Sequence, residues 1–155
     1  MDDLYYRASK ETARQLYHAE PLIYSPFFNG DVFLGREGFR HLQVSAEGER
    51  TREEQIERFA LLPLALHILK TATTLQRYRK RPATVYPQGE ERTLVERKTV
   101  QWWCFTALFV SRAMRVKVVV KKIGDGKPHF WGVMAEKIDK WGEPTFLTGG
   151  DWASE

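Results

Sequence analysis

The spacing of apolar residues predicts a helix at the start of the chain. Its apolar face, within residues 2–20, consists of Leu4, Tyr5, Ala8, Thr12 and Leu16. These positions recur three or four residues apart, as on one side of a helix. Asp2 and Asp3 supply oxygens that cap helix starts and suit the positive end of the helix dipole. Pro21 marks the end of the helix.

A second long helix is predicted from Thr51 onward. Thr51 and Glu54 form a capping box, in which each side chain satisfies a backbone N–H of the first turn. Apolar residues continue to about residue 75, and Pro63 is expected to kink or restart the helix. Between the two helices, DVFLG (31–35) indicates a short strand. REGFRHLQ (36–43) indicates a single helical turn, and PLIYSPFFNG (21–30) reads as a loop.

The second half of the chain changes to the period of β-strands. In RVKVVVKK, residues 115–122, the alternation predicts that Val116, Val118 and Val120 face one side of a strand and that Lys117, Val119 and Lys121 face the other. IGDGK then predicts a hairpin turn, and PHFWGVMAEK predicts the returning strand. VQWWCFTALFV (100–110) is apolar on both faces, which favours a central strand. An extended segment and a turn at Gly89 precede it.

These elements predict an α+β fold in which N-terminal helices pack on a four-stranded antiparallel β-sheet. We expect one domain over residues 1–155. Its helical part covers about 1–75, its sheet part about 76–136, and residues 137–155 form an irregular tail.

Charge is distributed unevenly along the chain. Residues 70–127 contain 14 Lys or Arg and 4 Asp or Glu, whereas the segments on either side each carry a net charge of −3. A basic block between acidic flanks favours a polyanionic partner, of which nucleic acid is the commonest in a cell. The alternative is a solvated basic surface without a ligand.

Several classes of protein are excluded or disfavoured. The longest apolar run has eleven residues, which is too short to cross a bilayer, and the first ten residues do not resemble a signal peptide. We therefore expect a cytoplasmic protein without a membrane partner. The single cysteine, Cys104, excludes an internal disulfide and a cysteine-based zinc site. The four histidines are scattered, so we predict no metal and no cofactor.

Two of the histidines, His41 and His129, belong to or adjoin the predicted basic sheet. Metal-free RNA cleavage needs a base for the ribose 2′-OH, a cation for the phosphoryl oxygens and an acid for the leaving 5′ oxygen. Histidine can serve as base or acid near neutral pH. Lysine and arginine on a strand can hold the phosphate, and aromatic rings can stack on bases. These residue types also occur together in many proteins that are not enzymes.

The order of the motifs gives a resemblance to a known family. VFLGREGFRHL, then a capped helix, then RVKVVVKKIGDGKPHFWGVM, resembles the phage-associated branch of the barnase–EndoU–colicin–RelE nuclease superfamily over roughly residues 30–136. The resemblance implies N-terminal helices on a four-stranded antiparallel sheet. It also implies a metal-independent ribonuclease, in many cases a toxin.

The resemblance implies catalytic roles for His41, His129 and Lys121. Together with the charge pattern it suggests that the nucleic acid is bound by Arg40, Arg77, Arg79, Arg81, Lys117, Lys122 and Trp131. One departure concerns the closing strand. Members of the family often carry a small alcohol side chain two residues after the aromatic residue, where this chain has Gly132.

We therefore predict an endoribonuclease whose product carries a 2′,3′-cyclic phosphate. As a phage or mobile-element toxin, it would have tRNA or mRNA as candidate targets and a neutralising protein as a candidate partner. Two alternatives stay open. One is a non-catalytic nucleic-acid-binding protein of the same fold, which the glycine at position 132 would favour. The other is a phage-associated interaction protein that uses exposed aromatic residues.

Overall fold

The computed structural model describes residues 2–85, 96–138 and 144–146. Its helices are α1 (Asp3–Ala19), α2 (Arg36–His41) and α3 (Arg52–Thr71), and a 3₁₀ turn spans Val110–Arg112. Its strands are β1 (Leu22–Ser25), β2 (Gly30–Phe33), β3 (Val44–Ser45), β4 (Gly48–Glu49), β5 (Arg77–Val85), β6 (Glu96–Phe109), β7 (Met114–Ile123), β8 (His129–Ile138) and β9 (Pro144–Phe146).

The predicted α+β class is confirmed, but the sheet is larger than predicted. Four antiparallel neighbours, β5 to β8, form its centre, as the hairpin patterns indicated. In the part of the chain that the structure describes, the sheet has seven strands in the order β1-β2-β8-β7-β6-β5, with β9 paired to β8. It is mixed, because β2 pairs with β8 in parallel. The predicted four-stranded antiparallel sheet therefore has too few strands and lacks the parallel pairing.

Of the strands beyond these four, β1 comes from the segment interpreted as a loop, β2 corresponds to the strand predicted at 31–35, and β9 lies in the segment predicted as an irregular tail. Residues Leu22–Ser25 pair with Gly30–Phe33 as a short hairpin, and both strands precede residue 75. The backbone N–H of Phe33 donates to the carbonyl of Pro128 at 2.9 Å, which joins this hairpin to the start of β8. Strand β1, with four residues between Pro21 and Pro26, gives too short an alternation to be recognised from the sequence.

Helix α1 has the predicted start but not the predicted buried face. The Asp2 carboxylate accepts from the backbone N–H of Leu4 at 3.0 Å. The predicted apolar stripe faces outward, and Leu4 is 73% exposed. The helix instead buries Ala13 and Tyr17, and the Tyr17 hydroxyl donates to the carbonyl of Gly35 at 2.5 Å. This buried hydrogen bond orients the helix, because a buried hydroxyl needs a partner.

Helix α3 has the predicted capping box and runs without interruption through Pro63. A proline inside a helix costs about 3 kcal/mol through the lost hydrogen bond and the ring clash. The apolar residues of α3 pack against β1, β6, β7 and β8, and this burial offsets the cost. The same helix also buries Arg58, whose guanidinium Nη1 donates to the carbonyl of Val133 at 2.8 Å.

The sheet is apolar on both faces. Its inner face meets the helices in the main core, to which β7 contributes Val116, Val118 and Val120, as its alternation predicted. A second, smaller cluster lies on the opposite face, which we call the outer face: Val100, Trp102, Cys104, Val119 and Met134. On this face, Lys117 and Lys121 of β7 lie on either side of Val119, which belongs to the second cluster.

A β-bulge interrupts the pairing of β7 with β8. Val119 is paired with Gly132 and Val120 with Phe130, so Trp131 is an extra residue on β8. Bulges of this kind redirect side chains and are common next to active sites. Here the bulge places Trp131 beside the predicted site residues of the outer face.

Some predictions fall on residues that the structure does not describe. The turn at Gly89 lies outside the described residues, as do positions 139–143 and 147–155 of the predicted tail. Within the described ranges, none of the helices combines the length and the apolar character needed to cross a membrane.

Candidate functional site

A row of side chains crosses the outer face of the sheet. Its members are register partners on neighbouring strands: Leu22 on β1, Phe33 on β2, His129 on β8, Lys121 on β7, Trp102 on β6 and Arg79 on β5. Register partners point to the same face, and neighbouring strands lie about 4.8 Å apart. The structure thus brings two of the three predicted catalytic residues, Lys121 and His129, side by side.

Two indole rings surround the ammonium group of Lys121. Its Nζ lies 3.8 Å from the ring centre of Trp131 and 5.7 Å from that of Trp102. An ammonium over an indole face is attracted by the ring quadrupole. Burial lowers the pKa of Lys121 from its ordinary value, and the carboxylate of Glu37 partly opposes this. The lysine is therefore a better proton donor than an exposed one.

The ring of His129 lies nearly perpendicular to the same indole. The ring centres of His129 and Trp131 are 6.1 Å apart at an interplanar angle of 81°. Burial lowers the pKa of His129 from its ordinary value, and the positive charge of Lys121 lowers it further. A hydrogen bond to the backbone of Lys127 and the charge of Glu37 act in the opposite direction. The imidazole is therefore neutral at neutral pH and able to accept a proton.

His41 lies on the other side of this cluster and is only 9% exposed. It is the last residue of α2, and its ring stacks on Trp131 with centres 4.4 Å apart and planes 25° apart. Burial, followed by the charges of Arg50 and Arg58, lowers the pKa of His41 to about 3. The ring consequently stays neutral in the physiological range and cannot act as a general acid there.

Gly132 is the residue that makes room for His41. A Cβ at position 132 would lie 3.0 Å from Nδ1 and 3.5 Å from Cε1 of the histidine ring. The imidazole thus occupies the space that a side chain would need. The glycine, noted above as a departure from the family pattern, has a physical reason in this structure, since it permits the close approach of His41 to β8.

The Trp131 ring connects the three predicted catalytic residues. His41 stacks on it, the Lys121 ammonium lies over it, and His129 lies nearly perpendicular to it. The stacked imidazole and the ammonium are too close to the ring centre to share one face of the indole. Base stacking by Trp131 stays a prediction, but its two faces already have neighbours.

The remaining predicted binding residues divide into two groups. Arg77 and Arg81 share the outer face with Arg79, and the Arg81 guanidinium carbon lies 5.6 Å from the ring centre of Trp102. Lys117 also lies on the outer face, but it pairs with the buried carboxylate of Glu136. Lys122 alternates to the opposite face from Lys121, and Arg40 is exposed on α2, 3.7 Å from Glu37.

Sequence reasoning missed Glu37 and the buried arginines. Glu37 precedes His41 by four residues, so both lie on one side of α2, and this spacing could have been recognised. Arg50 donates from Nε to the carbonyl of His41 at 3.2 Å. Nothing in the sequence pattern distinguishes Arg50 or Arg58 from surface arginines. Among the described residues, no group of three His, Cys, Asp or Glu side chains is placed to hold a metal ion.

The family resemblance stays a prediction, because it rests on short motifs. The placement of Lys121, His129 and His41 around Trp131 is independent of it. Comparisons of the chain with protein-family models, with curated proteins and with solved structures find no match.

Proposed function

We propose that this protein is a metal-independent endoribonuclease whose reaction takes place at the Lys121–His129 pair. The observation that supports the proposal is their pairing on neighbouring strands around one indole ring. One group is an imidazole that is neutral at pH 7, and the other is an ammonium whose pKa is lowered by burial. Groups with pKa values shifted in this way are typical of acid–base sites.

The proposed reaction uses the two groups as base and acid. His129 accepts the proton of the ribose 2′-OH, and the 2′ oxygen forms a bond to the adjacent phosphorus. The Lys121 ammonium stabilises the charge on the phosphoryl oxygens. The bond from phosphorus to the 5′ oxygen breaks, and Lys121 gives its proton to that oxygen. A 2′,3′-cyclic phosphate and a free 5′-OH result, and solvent returns both side chains to their starting protonation states.

His41 has a positioning role in this proposal. The sequence motifs suggested that it would act directly, but its burial and its pKa of about 3 make a proton-donating role unsuitable. Its stack on Trp131 fixes the ring against which Lys121 and His129 lie. A site needs such support, because small displacements of reacting groups cost much of the rate.

The cations of β5 provide a path for the RNA backbone. Arg77, Arg79 and Arg81 share the outer face with Lys121, two strands away from it. Arginine side chains bind phosphate in a bidentate manner. Binding through such contacts releases counterions, so affinity should fall steeply as salt increases.

The test is incubation of single-stranded RNA with the protein in EDTA, followed by analysis of the product ends. We expect a 2′,3′-cyclic phosphate and a 5′-OH. His129→Ala should lower the cleavage rate about 10²–10⁴-fold through loss of the base. Lys121→Met, which keeps the apolar length of the side chain, should lower it about 10²–10³-fold.

Matched controls are available on the same molecule. His67 is exposed on α3, and Lys137 is exposed at the far end of β8. His67→Ala and Lys137→Met should cleave as fast as the native protein. Cleavage that survives in the His129→Ala Lys121→Met double variant would overturn the assignment of the site.

A second candidate function is RNA binding without cleavage. The observation that favours it is the burial of His41, which leaves His129 as the one imidazole of the cluster with appreciable access to solvent. In that case the protein would bind RNA through the arginines of β5, with an affinity that falls as salt increases, and the RNA would stay intact.

A further inference from the structure

The proposed reaction needs a place for the base next to the cut phosphate, and Trp131 is already in contact with protein groups on its ring. We infer that Phe33 stacks on that base, which makes the β1–β2 hairpin a binding subsite for one nucleotide of single-stranded RNA. This inference rests on the proposed function, because it places the subsite beside His129.

The position of Phe33 follows from the register of the sheet. It is paired with His129 across the parallel contact of β2 and β8, so the two side chains stand about 4.8 Å apart on the outer face. Val32 and Leu34, on either side of it, belong to the main core. Phe33 is thereby directed away from the core, and it is 44% exposed. Its register partner on β1, Leu22, is exposed as well, so the two side chains form an apolar surface beside His129.

The backbone around Phe33 is held firmly. Its N–H donates to the carbonyl of Pro128, and the next residue, Leu34, donates to the carbonyl of Pro21 at 2.8 Å. Its ring lies against Gly35, where a Cβ would come 2.8 Å from Cε1 of the ring. Gly35 is itself fixed, because its carbonyl accepts from the buried hydroxyl of Tyr17. One side of the ring therefore rests on backbone that is held in place, while 44% of the side chain is exposed to solvent.

The charges of the row define which part of the nucleotide lies where. Lys121 and the arginines of β5 lie on one side of His129, and Phe33 and Leu22 lie on the other side. A phosphate is attracted to the cationic side. The base of the same nucleotide then extends over the apolar side, where no cation of the row lies. His129, between the two, is next to the ribose that joins base and phosphate.

Stacking on an aromatic ring contributes about 1–3 kcal/mol per base, measured by alanine substitution. This corresponds to a loss of about 5- to 150-fold in affinity when the ring is removed. Because stacking uses the face of the base, the loss should be similar for different bases. RNA that was bound by the cationic side chains alone would not lose affinity when Phe33 is replaced.

The test compares two oligonucleotides of equal length and charge. One is a single-stranded RNA with 2′-O-methyl groups, which prevent cleavage, and the other carries abasic residues in place of the central nucleotides. We expect Phe33→Ala and Phe33→Leu to weaken binding of the first by about 5- to 150-fold and to leave binding of the second unchanged. Phe33→Trp should keep the affinity, and Leu108→Ala, at an exposed position at the far end of β6, serves as a control.

The outcomes separate this inference from the proposed function. Native protein that binds the RNA, with Phe33→Ala and Phe33→Leu binding it equally well, would overturn the subsite and leave the proposed function standing. Equal losses for both oligonucleotides would also overturn it, since they would indicate a damaged fold or a phosphate effect. Native protein that binds neither oligonucleotide would overturn both proposals.

Discussion

Replacing Gly132 by alanine tests the packing that holds the candidate site together. The added Cβ would lie 3.0 Å from Nδ1 of His41, closer than carbon and nitrogen atoms normally approach. The histidine cannot simply move away, because it is buried and its ring stacks on Trp131 with ring centres 4.4 Å apart. Overpacking of this kind costs about 1–3 kcal/mol. In a chain of 155 residues, each kcal/mol lost from the free energy of unfolding lowers the melting temperature by about 2–4 °C.

The assay is urea unfolding of Gly132→Ala in two backgrounds, native and His41→Ala. In the native background the free energy of unfolding should fall by about 1–3 kcal/mol. In the His41→Ala background the new methyl group faces vacant space. There the substitution should be neutral or stabilise by up to about 1 kcal/mol, since alanine restricts the unfolded chain more than glycine does. The difference between backgrounds measures the contact directly.

Gly30 provides a matched control in another strand. A Cβ at position 30 would meet only the carbonyl oxygen of Phe28, at an ordinary 3.8 Å. Gly30→Ala should therefore not destabilise the protein. The reasoning would be refuted if Gly132→Ala were as harmless as Gly30→Ala, or if its cost were the same with and without the imidazole.

Three further predictions concern stability. Because the pKa of His41 is about 3 in the folded protein and about 6.5 in the unfolded chain, its neutral form stabilises the fold fully above pH 6.5. Below that pH the free energy of unfolding should fall by about 1.4 kcal/mol per pH unit. Urea unfolding of His41→Gln at a series of pH values should show a weaker dependence of this free energy on pH. Glu136→Gln should destabilise by about 3–5 kcal/mol, because it removes the buried carboxylate that pairs with both Lys117 and Arg115. Thermal melts of the variant would measure this loss, and the Glu136→Gln Lys117→Met variant should recover part of it. Thr51→Ala should cost about 1 kcal/mol by removing the cap of α3, and an equal melting temperature for variant and native protein would contradict the capping box.

The sequence predicts local features well where a mechanism acts between near neighbours. The Asp2 cap, the capping box at Thr51 and the alternation of β7 depend on residues a few positions apart, and all are present. The exposed face of α1 could not be predicted in this way. Its apolar spacing is that of a core helix, yet distant hydrogen bonds from Tyr6 to Gln55 and from Tyr17 to Gly35 determine its rotation.

The candidate site could be predicted only in part for the same reason. His41, Lys121 and His129 carry chemistry that is recognisable by residue type, and the predicted strand order brings Lys121 near His129. The environment of His41 depends on the bulge at Trp131 and on two buried arginines from α3 and the loop before it. Neither follows from a hydrophobic pattern. The parallel pairing of β2 with β8, which brings Phe33 to His129, is a long-range contact of the same kind.

Nuclear magnetic resonance of the imidazole nitrogens, during titration with an RNA whose 2′-OH groups are methylated, tests the central claim most directly. Binding at the Lys121–His129 pair should shift the His129 signals and raise the pKa of that ring, because a phosphate anion placed beside it favours the charged form. The signals of the exposed His67 should stay where they are. Saturable RNA binding that leaves His129 unchanged would place the RNA elsewhere on the protein and contradict the account.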